Sequence, residues 1–70
     1  MMIKNKLKTF RHKHEMNQKE FAAYLGIRYE QYNRYERQDR QPNLEIALRI
    51  SEKLGVTVND IVYLNEQSNS

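Results

Sequence analysis

The densest run of hydrogen-bonding side chains in this sequence is Arg28-Tyr29-Glu30-Gln31-Tyr32-Asn33-Arg34-Tyr35-Glu36-Arg37. At helical spacing Tyr32, Tyr35 and Glu36 share one face, and Tyr29, Glu30, Asn33, Arg34 and Arg37 occupy the others. Guanidinium forks and side-chain amides recognise partners by hydrogen bonding. Catalysis has less to work with. There is no cysteine nucleophile, no serine–histidine arrangement and no cluster of carboxylates. His12 and His14 sit in a basic stretch without the spaced partners of a zinc site. An enzyme, a metal centre and a cofactor are therefore not expected.

The elements that must hold this run follow from periodicity and punctuation. Ile3, Leu7 and Phe10 fall at i, i+4 and i+7, which predicts a first helix with lysines on its other faces. Asn17 with Glu20 three residues later forms a capping-box pattern, so a second helix is predicted over 18–25, with Phe21, Ala22 and Leu25 inward. Gly26 ends it, and Ile27 plugs the gap beneath the turn. The third helix is the polar run. Pro42 bars its continuation, and Asn43 caps a fourth helix with an apolar face of Leu44, Ala47, Leu48, Ile50, Ser51 and Leu54, stopped by Gly55. Thr57 and Asp60 open a short fifth helix containing Val58, Ile61, Val62 and Leu64. No strand pattern is apparent. The expected fold is all-α: one compact domain of five helices over residues 1–64, with 65–70 as a polar tail.

Seventy residues suffice for one such domain, and 39% hydrophobic with 30% charged residues argues against wholesale disorder. No apolar run approaches the ~20 residues a membrane span needs, and Met1-Met2-Ile3-Lys4 lacks a signal-peptide core. A soluble, cytoplasmic protein is the expectation, without membrane association. The net charge of +3 is concentrated at the front: Lys4, Lys6, Lys8, Arg11 and Lys13 face only Glu15 within residues 1–15. From residue 43 onward acids outnumber bases. A basic front suits a polyanionic partner.

The unit from 17 to 37 is two short helices joined by a glycine turn. That is the geometry of a helix-turn-helix, in which the first helix holds the second at an angle that lets its outer face enter the ~12 Å major groove of DNA. Leu7…Arg11, Asn17-Gln18-Lys19-Glu20-Phe21-Ala22, Leu25-Gly26-Ile27, Tyr35-Glu36, Arg40…Pro42 and Leu54-Gly55-Val56-Thr57…Asp60-Ile61 together resemble the phage-repressor (Cro-like, Xre-type) helix-turn-helix family. The resemblance spans about residues 5–64. It implies a lambda-repressor-like five-helix domain with its helix-turn-helix at about 18–37. It also implies sequence-specific binding of double-stranded DNA, and a homodimer on a palindromic operator.

Carried onto this chain, the resemblance places the base-reading positions on Tyr29, Glu30, Asn33 and Arg34, with Arg28 at the turn. Arginine suits guanine, asparagine adenine, and glutamate the cytosine amino group. Phosphate contacts are expected from Arg11, Asn17, Gln18, Arg37 and Arg40, Gln18 at a helix N-terminus where free N–H groups favour anions. Arg11 and Glu36 match a structural ion pair joining the first helix to the third.

Three positions depart from the family pattern. Arg28 stands where Ser or Thr usually caps the third helix, Gln38 where glycine is common, and Tyr32 where a smaller aliphatic is usual. The expected function is a transcriptional regulator, a repressor of phage, plasmid or bacterial type. Any regulatory signal would act through a protein partner, dimerisation or protein level. The rival class is an antitoxin or adaptor acting through protein–protein contact, with Val58, Val62, Tyr63 and Leu64 as its surface.

Overall fold

The computed structural model describes residues 2–65. Its elements are β1 (Met2–Asn5), α1 (Leu7–Lys13), α2 (Gln18–Leu25), α3 (Tyr29–Glu36), α4 (Leu44–Leu54), α5 (Val58–Ile61) and β2 (Val62–Asn65). The five helices match the expectation. The all-α assignment needs correcting, because β1 and β2 pair antiparallel with Ile3 opposite Leu64 and Asn5 opposite Val62.

The first helix therefore starts four residues later than Ile3, and the fifth ends at Ile61. Asn65, assigned to the polar tail, is paired with Met2, and the rest of that tail lies outside the described residues. The physical reason is that two short extended segments leave backbone groups unpaired, and these two satisfy most of theirs by pairing with each other. Ile3, Val62 and Tyr63 are β-branched or aromatic and fit a pleated surface. Asn5 closes the strand: its Oδ1 accepts from Leu7 N–H at 3.1 Å, a local bond that competes with helix.

The core is built from Leu7 of α1, Phe21 and Ala22 of α2, Tyr32 and Tyr35 of α3, Ile50 of α4 and Ile61 of α5, all buried. Ile27 packs against it from the turn, as expected. The α4 stripe is narrower than expected. Ala47, Ile50 and Ser51 are buried, whereas Leu44 and Leu48 are 71% and 49% exposed. These two leucines lie on a flank of the helix, beyond the strip the core covers.

The helix-turn-helix angle is fixed at three points. Asn17 and Glu20 complete the capping box at the start of α2, with Asn17 Oδ1 accepting from Glu20 N–H at 2.8 Å and Glu20 Oε1 accepting from Asn17 N–H at 2.9 Å. At the far end Gly26 adopts φ +75°, which lets Ile27 N–H reach back to Ala22 O at 2.9 Å. Between the helices the Phe21 ring meets the Tyr32 ring edge-on, with centroids 5.7 Å apart. Such a pair adds about 0.5–1.5 kcal/mol beyond the area it buries.

Candidate nucleic-acid interface

The outer side of α3 is open. Arg28, Tyr29, Glu30, Arg34 and Arg37 are exposed, and Asn33 is half-buried. Tyr32 and Tyr35 face the core, so the division of faces expected from spacing is realised. Arg28 caps α3 with its backbone alone, without a side-chain hydrogen bond. The departure at that position thus leaves first-turn N–H groups free at the end of the helix next to Tyr29 and Glu30, where the helix dipole favours anions.

Two flanks border this open side. On one, Arg28, Glu30, Gln31, Arg34 and Arg40 line a shallow depression, so the loop after α3 brings Arg40 beside Arg34. On the other, Gln18 of α2 meets Asn33 and Glu36. The Lys19 ammonium lies 5.5 Å from the centre of the Tyr29 ring and extends the positive border along α2. Asn17 is exposed, with its side-chain oxygen engaged in the cap. Arg37 pairs with Asp39 at 2.8 Å, but both side chains are at least half exposed, so the pair adds little stability and opens readily.

A single carboxylate anchors the arrangement. Glu36 is 3% exposed in its side chain and receives Arg11 Nε at 2.6 Å, Arg11 Nη2 at 3.2 Å, Gln18 Nε2 at 2.9 Å and the Tyr32 hydroxyl. Arg11 also donates Nη1 to Met16 O at 3.2 Å. The expected ion pair is therefore present as a forked one, and it joins α1, the loop before α2, α2 and α3. Burial alone would push the Glu36 carboxyl up. The donors, Arg11 foremost, hold it below the ordinary carboxylate range instead. The same bonding raises the Arg11 guanidinium. Burial first, and the bond to Glu36 second, push the Tyr32 phenol up, so it stays a proton donor to Glu36. With 13% of its side chain exposed, Arg11 faces mainly inward.

The larger aromatic at position 32 is thus accommodated, because its ring fills the core and its hydroxyl has a partner.

Three residues that sequence reasoning did not assign to the site shape the loop carrying Arg37 and Arg40. Asn5 is buried and donates Nδ2 to Tyr35 O at 2.8 Å and to Gln41 Oε1 at 2.7 Å. Gln38 bridges to Asn5 and to Gln41. The one signal in the sequence was Gln38 itself, standing at a position where glycine is common.

Comparison with known proteins agrees with this geometry. A family described as Helix-turn-helix matches residues 7–61. A protein of Methanocaldococcus jannaschii named as an uncharacterized HTH-type transcriptional regulator is 34% identical over 59 residues, covering 84% of this chain and 89% of that protein.

Proposed function

Since the chain belongs to the helix-turn-helix family, we propose that it is a sequence-specific regulator of transcription that binds double-stranded DNA, a repressor acting as a homodimer on a palindromic operator. Family membership points to a DNA-binding regulator and not to an enzyme.

The observation that carries the reading is the open side of α3. It offers Arg28, Tyr29, Glu30, Asn33 and Arg34 on a helix locked from behind by the Glu36 node, beside the capped start of α2. Those five side chains are the base-reading set, and the helix fits the major groove. Asn17, Gln18, Arg37 and Arg40 border them and supply phosphate contacts, which set register and affinity rather than sequence. Arg11 serves chiefly the ion pair.

The dimer rests on a second feature. Ile3 and Leu64, opposite each other on one face of the sheet, are 52% and 55% exposed, and Met2 and Tyr63 are exposed on the other face at the same end. A second copy seated on Ile3 and Leu64 by two-fold symmetry would cover the same pair on both protomers.

Selection of bound duplexes from a randomised pool tests the whole proposal. The expected result is a two-fold symmetric motif whose affinity falls steeply with salt. At six to ten phosphate contacts the loss is about 10³–10⁵ between 50 and 200 mM. A motif without symmetry removes the dimer, and no enriched motif removes sequence-specific binding. The second reading, an antitoxin or adaptor bound to another protein, is favoured by the same apolar end together with Leu44 and Leu48. It predicts a stable protein complex with weak or indifferent DNA binding.

A further inference from the structure

The amides of Gln18 and Asn33 form a chain whose direction one charge dictates. An ionised carboxylate only accepts hydrogen bonds. Glu36 therefore requires the amino end of Gln18, and Gln18 Nε2 lies 2.9 Å from Glu36 Oε1. The opposite end of the Gln18 amide is its oxygen, which can only accept. Asn33 meets it with Nδ2 at 2.9 Å. Arg37 Nη1, a donor, lies on the remaining oxygen of Asn33 at 3.4 Å, at an exposed position. Each donor in the series points towards Glu36, and no member can reverse while the carboxylate is charged.

The consequence falls on what Asn33 has left to offer. With one Nδ2–H given to Gln18, it retains one N–H and, beside the long exposed bond from Arg37, a second lone pair on its carbonyl oxygen. That pair complements the major-groove edge of adenine, where N7 accepts and the N6 amino group donates. With the amide reversed, its oxygen would face Gln18 and its amino group would face outward. Two donors would then complement guanine, whose N7 and O6 both accept.

We infer that Glu36, acting through Gln18, is a positioning residue that orients the Asn33 amide for adenine and against guanine. The inference rests on the DNA-binding reading proposed above and adds to it which base this position takes and why. Glu36 touches no base. Its effect reaches the groove through two side-chain amides. Gln18 keeps a second N–H free for phosphate, so the same residue can serve the backbone and relay the orientation.

The test uses the full chain and the duplex enriched from a randomised pool, together with a panel in which every half-site position carries each of the other bases. Wild type is expected to prefer adenine over guanine about 5- to 150-fold at one position, the range for a bidentate contact. Asn33→Ala abolishes that preference. Gln18→Ala and Glu36→Gln bring the same adenine-to-guanine ratio towards unity and leave the ratios at other positions within about twofold. A lost Gln18 phosphate contact weakens all duplexes alike and cancels in the ratio.

Glu36→Gln also disturbs the Arg11 pair. If that variant does not fold, Gln18→Ala carries the test. In the free protein one Asn33 Nδ2–H is bonded to Gln18, and its NMR shift is expected to move to that of a free asparagine amide in Gln18→Ala. Retention of the adenine preference in Gln18→Ala overturns the inference, as does an equal loss of preference at every position, while DNA binding itself stands. A wild-type protein that prefers no duplex overturns the DNA-binding reading, and this inference falls with it.

Discussion

The side-chain amide of Gln38 pairs with both backbone groups of Asn5: Gln38 Nε2 donates to Asn5 O at 3.0 Å, and Gln38 Oε1 accepts from Asn5 N–H at 3.1 Å. One side chain thus takes the place of a strand neighbour at the end of β1. It does so from a left-handed backbone, with φ +63°, where Gln38 closes α3 as Gly26 closes α2: Gln38 N–H bonds to Tyr35 O, and Asp39 N–H to Arg34 O. A non-glycine residue in this conformation costs roughly 1–2 kcal/mol, and the two amide bonds return roughly 0.5–1.5 kcal/mol each.

Gln38→Ala keeps the strained backbone and removes the bonds, so a loss of about 1–3 kcal/mol is expected. Gln38→Gly removes the bonds and the strain together, so it should sit above Gln38→Ala by about 1 kcal/mol. Urea denaturation of the three proteins measures both gaps. An alanine variant as stable as wild type would show that the bonds to Asn5 contribute nothing.

The Glu36 node makes stability depend on acid. Its carboxyl titrates below the ordinary value in the folded chain, because of its donors. A group lowered in this way stabilises the fold above its unfolded value, about 4.3–4.5, and that contribution disappears as pH falls through the folded value. Thermal melting from pH 7 down to pH 2 is expected to show a drop in Tm beginning near pH 4.5. Glu36→Gln should flatten it. Asp60, lowered by its bonds to Thr57, acts in the same direction below its own unfolded value of about 3.9, so the flattening should be partial. At pH 7, Glu36→Ala leaves Arg11 without its partner, and breaking a buried pair costs about 3–5 kcal/mol. A Glu36→Gln melting curve that runs parallel to wild type across the acid range would remove Glu36 from the account.

Arg34 and Arg40 line one depression yet are assigned different work. Arg34, on the open side of α3, should contact a base, so Arg34→Ala is expected to lose about 1–3 kcal/mol of discrimination at one operator position. Arg40, on the loop, should contact phosphate. Arg40→Ala is expected to weaken all duplexes by a similar factor and to reduce the salt slope by about one. Gel shifts on a panel of operator variants at several salt concentrations separate the two. Equal loss of discrimination in both variants refutes the division.

What local sequence could reveal here was set by the range of the interaction. The caps at Asn17, Asn43 and Thr57 and the stop at Gly26 act within a few residues, so the start of each helix from α2 onward could be placed from its own letters, while the end of α5 could not. The faces of α3 could be read because Tyr32 and Tyr35 repeat at helical spacing. The sheet could not. Ile3 and Leu64 meet across almost the whole chain, and a four-residue strand beside a helix start mimics one more helical turn, since Ile3, Leu7 and Phe10 fall in register by coincidence. The Arg11–Glu36 pair was legible only through the family resemblance. The bonds of Asn5 to Gln38 and Gln41 had no such guide, because nothing in periodicity marks an asparagine that bonds 33 and 36 residues away.

The two strands also supply the surface on which the dimer can be put to the test. Ile3 and Leu64 face each other on the same side of the sheet as Asn5 and Val62, which point to the core, but they extend past it and remain more than half exposed. Apolar side chains paired at an exposed sheet end gain from burial by a partner, at roughly 25 cal/mol per Å² covered. Leu64→Lys replaces that gain with a charge that two-fold symmetry would bring close to its own copy. Because Leu64 contributes little to the core, the fold should keep its stability to within about 0.5 kcal/mol. Sedimentation is expected to give twice the chain mass for wild type and the single mass for Leu64→Lys. Operator affinity should fall, since two half-sites would then be bound independently rather than together. A variant that still sediments as a dimer would move the interface elsewhere, with Leu44 and Leu48 on α4 next to be substituted. A wild-type chain that is monomeric both free and on a palindromic duplex would end the dimer proposal.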